Sequence, residues 1–215
     1  MIAHIVCGAP HACLDVNEIS SSPGLTIGVD RGALLLIEQQ IIPQIAIGDF
    51  DSISEAEYQQ ILGMCKEVIK LNCEKNETDT EVALNYCISN EINEVYLYGG
   101  LGGRFDHSIA NIRLLLQFVK KGLRIHLLDQ TNCVSVLPAG NHRLKALPKR
   151  YLSFFALESD VSELTLEGLK YPLNDYYLSL DDIRCVSNEI LGESFTIRFN
   201  QGYLLMINSE DEATS

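Results

Sequence analysis

The sequence predicts an α/β domain followed by an all-β domain in a chain of 215 residues. Up to residue 129, short β-branched runs alternate with helical patterns, which is typical of a mostly parallel sheet with helices on both faces. Beyond that point, short alternating runs are separated by turn residues, and no long amphipathic helix follows. We therefore expect an α/β domain over residues 1–129 and a small antiparallel β-sandwich over residues 130–215.

The first domain is predicted to alternate strands and helices. Its strands are β-branched runs between turn residues, and two of its helices begin with a capping box, at Ser54 and at Thr78. The predicted strands are Ile2–Cys7, Leu25–Asp30, Gln44–Gly48, Glu67–Leu71, Glu94–Tyr98 and Arg124–Leu128. The predicted helices are Gly32–Gln40, Ser54–Leu62, Asp79–Ser89 and His107–Lys121, the last with Asp106 as its N-cap.

The second domain is predicted to consist of short strands separated by turns, as at residues 138–141 and 200–202. The predicted strands are Asn132–Leu137, Tyr151–Ala156, Glu163–Leu166, Tyr176–Leu180, Ser194–Phe199 and Gly202–Ile207. The polar, acidic tail over residues 209–215 is expected to be frayed.

Composition excludes several classes of protein. A net charge of −13 and a pI near 4.7 argue against nucleic-acid binding, which needs a basic face. No apolar run reaches transmembrane length and the N-terminus lacks a basic segment, so we expect a cytoplasmic protein without a membrane partner. The cysteines contain no CxxC pair, which favours reduced structural thiols. They are Cys7, Cys13, Cys65, Cys73, Cys87, Cys133 and Cys185.

Three acidic clusters, Ile47–Ser52, Glu77–Glu81 and Gly99–His107, fall where predicted strands end. Ligands of parallel sheets bind beyond the carboxyl ends of the strands, so the clusters are expected to meet at one edge. In an extended segment Asp49 and Asp51 would point to the same side and address one metal ion. Carboxylates suit Mg²⁺, and glycine backbone lets N–H groups approach phosphate oxygens. The pattern predicts a metal and phosphate site, although acids at helix starts are also ordinary caps.

Known phosphate-binding signatures are missing. The sequence has neither a P-loop nor a G-x-G-x-x-G fingerprint between a strand and a helix. The Asp49-Phe50-Asp51 motif also fits a Mg²⁺-dependent transferase with a nucleotide-sugar donor. From the residues alone, the substrate stays open.

Several segments, in order along nearly the whole chain, resemble the motifs of the thiamine pyrophosphokinase family. They are Gly48–Ser52, Thr78-Asp79 with Ala83-Leu84, Gly99–His107 with Asn111, Gly168–Leu173 and Val186–Glu189. The resemblance implies an enzyme that transfers diphosphate from ATP to thiamine and releases AMP. A nucleotide- or thiamine-sensing module without turnover is the non-enzymatic alternative.

The resemblance also implies roles for particular residues. Asp49, Asp51 and Asp79 would hold Mg²⁺, and together with Arg104 and Asp106 they form the expected catalytic set. Residues expected to bind ATP are Asp30, Thr78, Gly100, Gly102, Gly103 and Arg104. Residues expected to bind thiamine are Tyr171, Ser187 and Asn188. The family implies a homodimer whose thiamine site lies between the α/β domain of one subunit and the sandwich of the other.

The sequence departs from the family pattern at three positions. Tyr171 stands where many members have Trp, Asn76 replaces a frequent Asp, and Arg31 follows Asp30 where Gly is common. These departures concern stacking and the polar detail of the pocket more than the reaction.

Overall fold

The computed structural model describes residues 1–8, 14, 16–22, 24–74 and 76–212, apart from the side chain of Glu18. Cys13 and the end of the predicted tail lie outside the described residues. The chain divides into two compact units, Met1–Leu114 with Lys121–Gln130 and Leu115–Lys120 with Thr131–Ser215.

The described strands of the first unit are all parallel. They are β1 (Ile2–Val6), β2 (Leu25–Val29), β3 (Ile45–Gly48), β4 (Glu67–Lys70), β5 (Glu94–Tyr98) and β6 (Arg124–Leu128). Their order is β6-β5-β1-β2-β3-β4. Strands β1 to β3 are almost entirely buried, as expected for parallel strands covered on both faces. The six predicted strands are confirmed to within one residue at each end.

Strand order reverses at β1. From β1 the chain proceeds outward through β2, β3 and β4, and β5 then returns to the opposite side of β1. In parallel sheets the crevice beyond the carboxyl ends at such a reversal is the usual place for a ligand. The topology thus marks the ends of β1 and β5 as the first place to look for a site.

The described helices confirm the four predicted ones and add a short one. All lie in the first unit except the C-terminal end of α5, which belongs to the second unit. They are α1 (Val16–Ser21), α2 (Arg31–Glu38), α3 (Glu55–Met64), α4 (Asp79–Ser89) and α5 (Phe105–Val119). Helix α1 was not predicted, because six residues are too few to show a helical period. The capping box at Ser54 is confirmed in both directions.

The predicted N-cap at Asp106 is wrong. Helix α5 begins at Phe105, because the Arg104 carbonyl accepts hydrogen bonds from the N–H groups of His107 (3.2 Å) and Ser108 (3.4 Å). Asp106 therefore lies in the first helical turn, where a carboxylate still interacts favourably with the helix dipole.

Glycines let helix α2 approach the sheet closely. A Cβ on Gly28 of β2 would lie 2.4 Å from the Cα of Ala33, and one on Gly32 would lie 1.9 Å from the carbonyl oxygen of Val6. Both contacts are with backbone or near-backbone atoms, so neither neighbour can rotate away. Close packing of α2 thereby fixes the position of Asp30, which precedes it.

Gly32→Ala should lower the free energy of unfolding by about 3 kcal/mol, because overpacking of a close-packed region costs about 1–3 kcal/mol and the clash is with backbone. Gly63→Ala is the control. Its Cβ would meet nothing within 4 Å in helix α3. That substitution should be neutral or stabilise by about 0.5–1 kcal/mol. Denaturant unfolding of both variants checks the prediction, and equal stabilities would contradict it.

The described strands of the second unit pair antiparallel, as predicted. They are β7 (Asn132–Lys145), β8 (Tyr151–Glu167), β9 (Leu173–Leu178), β10 (Asn188–Glu189) and β11 (Ser194–Ser209). The order is β10-β8-β11-β7, and β9 pairs with β8. Their apolar side chains, among them Phe154, Phe195 and Phe199, form one core cluster.

The predicted short strands are wrong in length. Tyr151–Ala156 and Glu163–Leu166 belong to one strand, β8, and Ser194–Phe199 and Gly202–Ile207 belong to β11. The residues read as turns are irregular positions inside long strands: the register of β11 shifts between Phe199 and Tyr203. Such bulges bend a strand without ending it. The sandwich arrangement itself stays a prediction.

Within the described part of the chain, no helix has both the length and the apolar character needed to cross a membrane. The described cysteines are free thiols, as predicted: Cys7, Cys65, Cys73, Cys87, Cys133 and Cys185.

Candidate active site

A cavity of about 880 Å³ lies at the predicted edge of the first unit. Its lining comes from the residues that follow β1, the end of β2, the start of α4, the glycine-rich loop after β5, and the first half of α5. The cavity therefore occupies the point where the strand order reverses, and its volume is within the range of about 300–1,000 Å³ usual for small-molecule sites.

Three carboxylates converge at this edge. One carboxylate oxygen from each of Asp30, Asp49 and Asp79 lies within 4.8 Å of the others. Each of the three side chains is half-buried. Three carboxylate oxygens at this spacing suit a hard divalent cation that also keeps water or substrate ligands. The structure thus brings together two of the predicted metal ligands, Asp49 and Asp79, with Asp30, which the sequence analysis placed among the residues that bind ATP.

Asp51 is exposed and does not belong to this group. Asp51 would lie beside Asp49 only if this segment were extended. Phe50 instead has a φ of 60°, and the N–H of Asp51 donates to Oδ1 of Asp49 at 3.1 Å. This tight turn removes the alternation on which the prediction depended. Phe50 is held there by packing on Tyr58, with ring centroids 5.1 Å apart.

Asp30 is positioned by an unusual backbone and a missing Cβ. Its φ of 48° is rare for a non-glycine residue. Its N–H donates to the carbonyl of Ile47 at 3.0 Å, and its Oδ1 accepts from the N–H of Phe50 at 3.2 Å. A Cβ on Gly48 would lie 1.8 Å from that oxygen. Gly48 is therefore the residue that makes room for Asp30 beside Asp49.

The pKa of Asp30 is raised from 3.8 to about 7. Burial is the largest cause, followed by the hydrogen bond and the charge of Asp79 and by the charge of Asp49, while the N–H of Phe50 opposes the rise. Asp30 therefore keeps its proton to a higher pH than an ordinary carboxyl group does. A divalent cation would favour its ionised form, so metal binding here would release a proton.

Asp30→Asn should stabilise the metal-free protein at pH 8. An acid with a raised folded-state pKa stabilises the fold below its ordinary pKa near 3.8 and loses that contribution as pH rises through about 7. Asn carries no such penalty. Thermal unfolding without divalent ions should give a higher midpoint than wild type at pH 8, with the difference vanishing towards pH 4.

Asp51→Asn is the control for this prediction, because it removes an exposed carboxylate two residues from Asp49. It should raise the unfolding midpoint at pH 8 by less than Asp30→Asn does. A lower midpoint for Asp30→Asn than for wild type at pH 8 would contradict the account of Asp30.

The start of helix α4 carries the third carboxylate. Oγ1 of Thr78 accepts from the N–H of Glu81 at 3.1 Å, which caps the helix and places Asp79 in its first turn. Thr80 follows, and its Oγ1 lies 3.4 Å from Sγ of Cys7. Thr78, Asp79 and Thr80 all line the cavity. The N-terminus of a helix with free N–H groups favours an anion in front of it.

Cys7 lines the cavity and was not among the predicted site residues. Burial, the largest cause, raises the pKa of its thiol to about 11, and the nearby charges of Asp30 and Asp79 act in the same direction. A thiol that stays protonated at neutral pH is a weak nucleophile. The only sign in the sequence that Cys7 could belong to the site is its position at the end of β1. Its buried, protonated thiol indicates a packing role.

The loop after β5 approaches the cavity with bare backbone. Gly99, Gly102 and Gly103 have φ values of 68°, 84° and 67°, in the left-handed region that other residues rarely adopt. Gly100 is buried against the side chains of Leu97 and Leu127, where a Cβ would lie within 2.6 Å of both. All four glycines line the cavity. Glycine loops of this kind let backbone N–H groups surround an anion.

Arg104 and Asp106 form a bidentate ion pair beside the loop. Nε of Arg104 donates to Oδ1 of Asp106 at 3.1 Å, and Nη2 donates to Oδ2 at 2.5 Å. The arginine lowers the pKa of Asp106, and the aspartate raises the pKa of Arg104. Both side chains are exposed, 74% and 62% respectively. Asp106 therefore orients the arginine and lies outside the group formed by Asp30, Asp49 and Asp79.

The predicted thiamine-binding residues meet in the second unit. Oδ1 of Asn188 accepts from the N–H groups of Tyr171 and Glu189, both at 2.9 Å, and its Nδ2 donates to the carbonyl of Tyr171 at 2.8 Å. Ser187, with a φ of 58°, donates its N–H to Oγ of Ser153 at 3.0 Å. Asn188 is buried, whereas the Tyr171 ring is 59% exposed. Asn188 thus holds the backbone that presents Tyr171.

The arrangement in the first unit is that of an enzyme acting on phosphate-bearing substrates. A glycine loop, an arginine and two of the three grouped carboxylates, Asp30 and Asp79, line one cavity at the strand reversal, and the carboxylate of Asp49 lies close to those two. Positioning and neutralisation of phosphate charge are what phosphoryl-transfer enzymes require.

Comparisons with known proteins agree with this class. The family description "Thiamin pyrophosphokinase, catalytic domain" matches residues 16–127, and "Thiamin pyrophosphokinase, vitamin B1 binding domain" matches residues 141–204. Thiamine pyrophosphokinase of Bacillus subtilis (strain 168) is 38% identical over 97% of this chain and 98% of its own length.

Solved structures give the same result. The crystal structure of the Bacillus subtilis thiamine pyrophosphokinase matches with a TM-score of 0.92 at 37% identity, covering 98% of this chain and 100% of that one. The thiamin pyrophosphokinase of Geobacillus thermodenitrificans matches with a TM-score of 0.89 at 33% identity, covering 99% of each chain. The chain belongs to the thiamine pyrophosphokinase family, and it is therefore a transferase of thiamine metabolism that uses ATP.

Proposed function

We propose that this chain transfers the β,γ-diphosphate of ATP to the hydroxyl of thiamine, giving thiamine diphosphate and AMP in a Mg²⁺-dependent reaction. The observation that carries the proposal is that Asp30 and Asp79, which form one carboxylate group with Asp49, line the same cavity as the glycine loop at the strand reversal. Acids alone suit many metal sites, but acids opposite a glycine loop suit a metal–nucleotide complex.

Asp30, Asp49 and Asp79 are the proposed direct ligands of Mg²⁺, because each offers one oxygen within 4.8 Å of the others. Asp51, which the sequence predicted as a metal ligand, is exposed in the turn that follows Asp49. We propose that it would act on the metal through a water molecule. When bound, Mg²⁺ supplies positive charge that neutralises the phosphate oxygens of ATP. Among the lysine and arginine side chains of the described residues, only Arg104 lines the cavity, where His107 is also present.

Arg104 and the starts of α4 and α5 are the proposed phosphate contacts. The guanidinium is exposed, is oriented by Asp106, and carries a planar fork that matches phosphate oxygens. Thr78, Gly100, Gly102 and Gly103 line the same cavity and are the further ATP-binding candidates. The reaction breaks the bond between the α,β-bridging oxygen and the β-phosphorus, so AMP leaves with that oxygen. The thiamine oxygen forms the new bond in line, and its hydroxyl proton is released to solvent in the overall reaction.

The second domain, residues 130–215, is the proposed thiamine-binding part, and residues 1–129 form the proposed catalytic part. The match to the vitamin B1 binding domain over residues 141–204 supports this division. Tyr171 is the candidate stacking partner, because its ring is exposed while Asn188 and Ser187 hold its surroundings. The cytoplasmic location predicted from the sequence stays a prediction.

A homodimer is the proposed assembly. Large apolar side chains are exposed along the segment around Tyr171 and beyond it, which is unusual for a surface that stays in water. They include Tyr177 (60% exposed), Leu180 (55%), Ile183 (75%) and Leu191 (69%). A second copy of the chain covering this surface would remove the exposure and is the proposed occupant.

Incubation with ATP, Mg²⁺ and thiamine tests the proposed function. Equal amounts of thiamine diphosphate and AMP are expected from the wild-type chain. Turnover of a nucleotide sugar without AMP would indicate the nucleotide-sugar transferase instead. Calorimetric binding of ATP or thiamine without any product would indicate a sensing module.

A further inference from the structure

The side chain of Asn111, in the middle of α5, joins the helix to the glycine loop. Its Nδ2 donates to the carbonyl oxygen of Gly100 at 2.7 Å, across eleven positions of the chain. Both residues line the cavity of the first unit. In the sequence, Asn111 is only a part of the motif that begins at Gly99, and no role follows from the motif alone.

Gly100 is confined on its other side as well. A Cβ at this position would lie 2.5 Å from Cδ2 of Leu97, 2.6 Å from Cδ1 of Leu127 and 3.2 Å from Nδ2 of Asn111. The peptide is thus enclosed between side chains of β5 and β6 and the amide of Asn111. Turning the Gly100 carbonyl away from Nδ2 of Asn111 would break this hydrogen bond, and the neighbouring side chains of Leu97 and Leu127 carry no donor to replace it.

The rest of the loop has the conformational freedom that this bond restricts. Gly99 and Gly102 flank the position with positive φ, and glycine populates both signs of φ almost equally. A loop with so many accessible states must be ordered before it binds phosphate, and ordering during binding lowers affinity. A carbonyl turned towards a phosphate would also repel it, whereas the bond to Asn111 keeps this oxygen on a donor.

We infer that Asn111 is a positioning residue for the nucleotide phosphates: its amide holds the glycine loop in the conformation that receives them. The role of ATP as the ligand rests on the proposed function. Asparagine suits this position chemically, because its short side chain ends in a neutral donor. A carboxylate of the same size would place an acceptor against the Gly100 carbonyl and a negative charge in a phosphate site.

Asn111→Leu is the sharpest test, because leucine keeps the number and branching of the side-chain heavy atoms of asparagine and removes the donor. Asn111→Ala removes both. Calorimetry with Mg²⁺–ATP and steady-state kinetics are measured on the full chain. Both variants should raise the Kd and the KM for ATP by about tenfold, equivalent to about 1.4 kcal/mol. The KM for thiamine should stay at the wild-type value.

Asn90→Ala is the matched control. Nδ2 of Asn90 donates to the carbonyl of Tyr86 at 2.9 Å, at the end of α4 and outside the cavity lining. Asn90→Ala removes the same kind of hydrogen bond as the two substitutions of Asn111. A fall in unfolding temperature that all three variants share therefore reports a loss of stability and not a role in binding. Only the variants at position 111 should weaken the binding of ATP.

Wild-type affinity for ATP in Asn111→Leu would overturn the inference. The inference would also be overturned if the affinities for ATP and thiamine fell equally and the variant lost more stability than Asn90→Ala. Asn111 would then serve folding alone. The calorimetric measurement does not require turnover. If the wild-type chain bound ATP but formed no thiamine diphosphate, the proposed function would fail while the inference on Asn111 was still tested.

Discussion

Asp49→Asn should lower turnover with ATP and thiamine by at least about a hundredfold, because even residues that only support metal ligands cost about 10- to 100-fold when replaced. Asp49 offers an oxygen to the group formed with Asp30 and Asp79. Asparagine keeps the size and one oxygen of the side chain but removes the charge that a divalent cation requires. The fold should be retained, and raising the Mg²⁺ concentration should recover part of the activity.

Asp51→Asn is the informative comparison for Asp49. Asp51 is exposed. Its backbone N–H donates a hydrogen bond to Asp49, but its carboxylate does not belong to the group formed by Asp30, Asp49 and Asp79. An action through a bound water predicts a smaller loss, of about tenfold to a hundredfold. Glu55→Gln, on the exposed first turn of α3, should retain wild-type turnover. A larger loss at Asp51 than at Asp49 would restore the pairing predicted from sequence and contradict the arrangement seen in the structure.

Arg104→Ala should lower kcat by about 10²–10³-fold, the loss that follows removal of one donor aimed at transition-state charge. The guanidinium lies at the glycine loop, and its bidentate pairing with Asp106 fixes its plane. Arg104→Lys should recover only part of the loss, because an ammonium is a point charge without the planar fork. Steady-state kinetics at saturating ATP measure the effect.

Arg113→Ala controls for the loss of one positive charge in an acidic protein. Arg113 is exposed on the same helix, outside the cavity lining, and its replacement should leave kcat unchanged. Added guanidinium ion should partly rescue Arg104→Ala and have no effect on Arg113→Ala. A kcat close to wild type for Arg104→Ala would remove the arginine from the proposed mechanism.

Much of the first unit was predictable because its signals are local. Strands of buried β-branched residues between turns, and helices that start at Ser54 and Thr78, need only a few neighbouring residues to be recognised. The ends of those strands then placed Asp49, Asp79 and the glycine loop at one edge, as the general rule for parallel sheets requires.

Errors arose where a residue's conformation depends on distant packing. The positive φ of Phe50 follows from burial against Tyr58, and it separates Asp51 from the carboxylate group. The room that Gly48 leaves for Asp30 involves two different strands, so neither residue alone signals the contact. Bulges in β11 look like turns in sequence, because the strands whose pairing continues β11 through them are far away along the chain.

The fate of the phosphates tests the central claim most directly. ATP carrying ³²P at the β-position should be incubated with thiamine, Mg²⁺ and the wild-type chain, and the labelled products separated. Diphosphate transfer predicts that the label leaves ATP only in thiamine diphosphate, with one unlabelled AMP formed for each. Labelled ADP together with unlabelled thiamine monophosphate would show transfer of the γ-phosphoryl group alone and would contradict the proposed reaction.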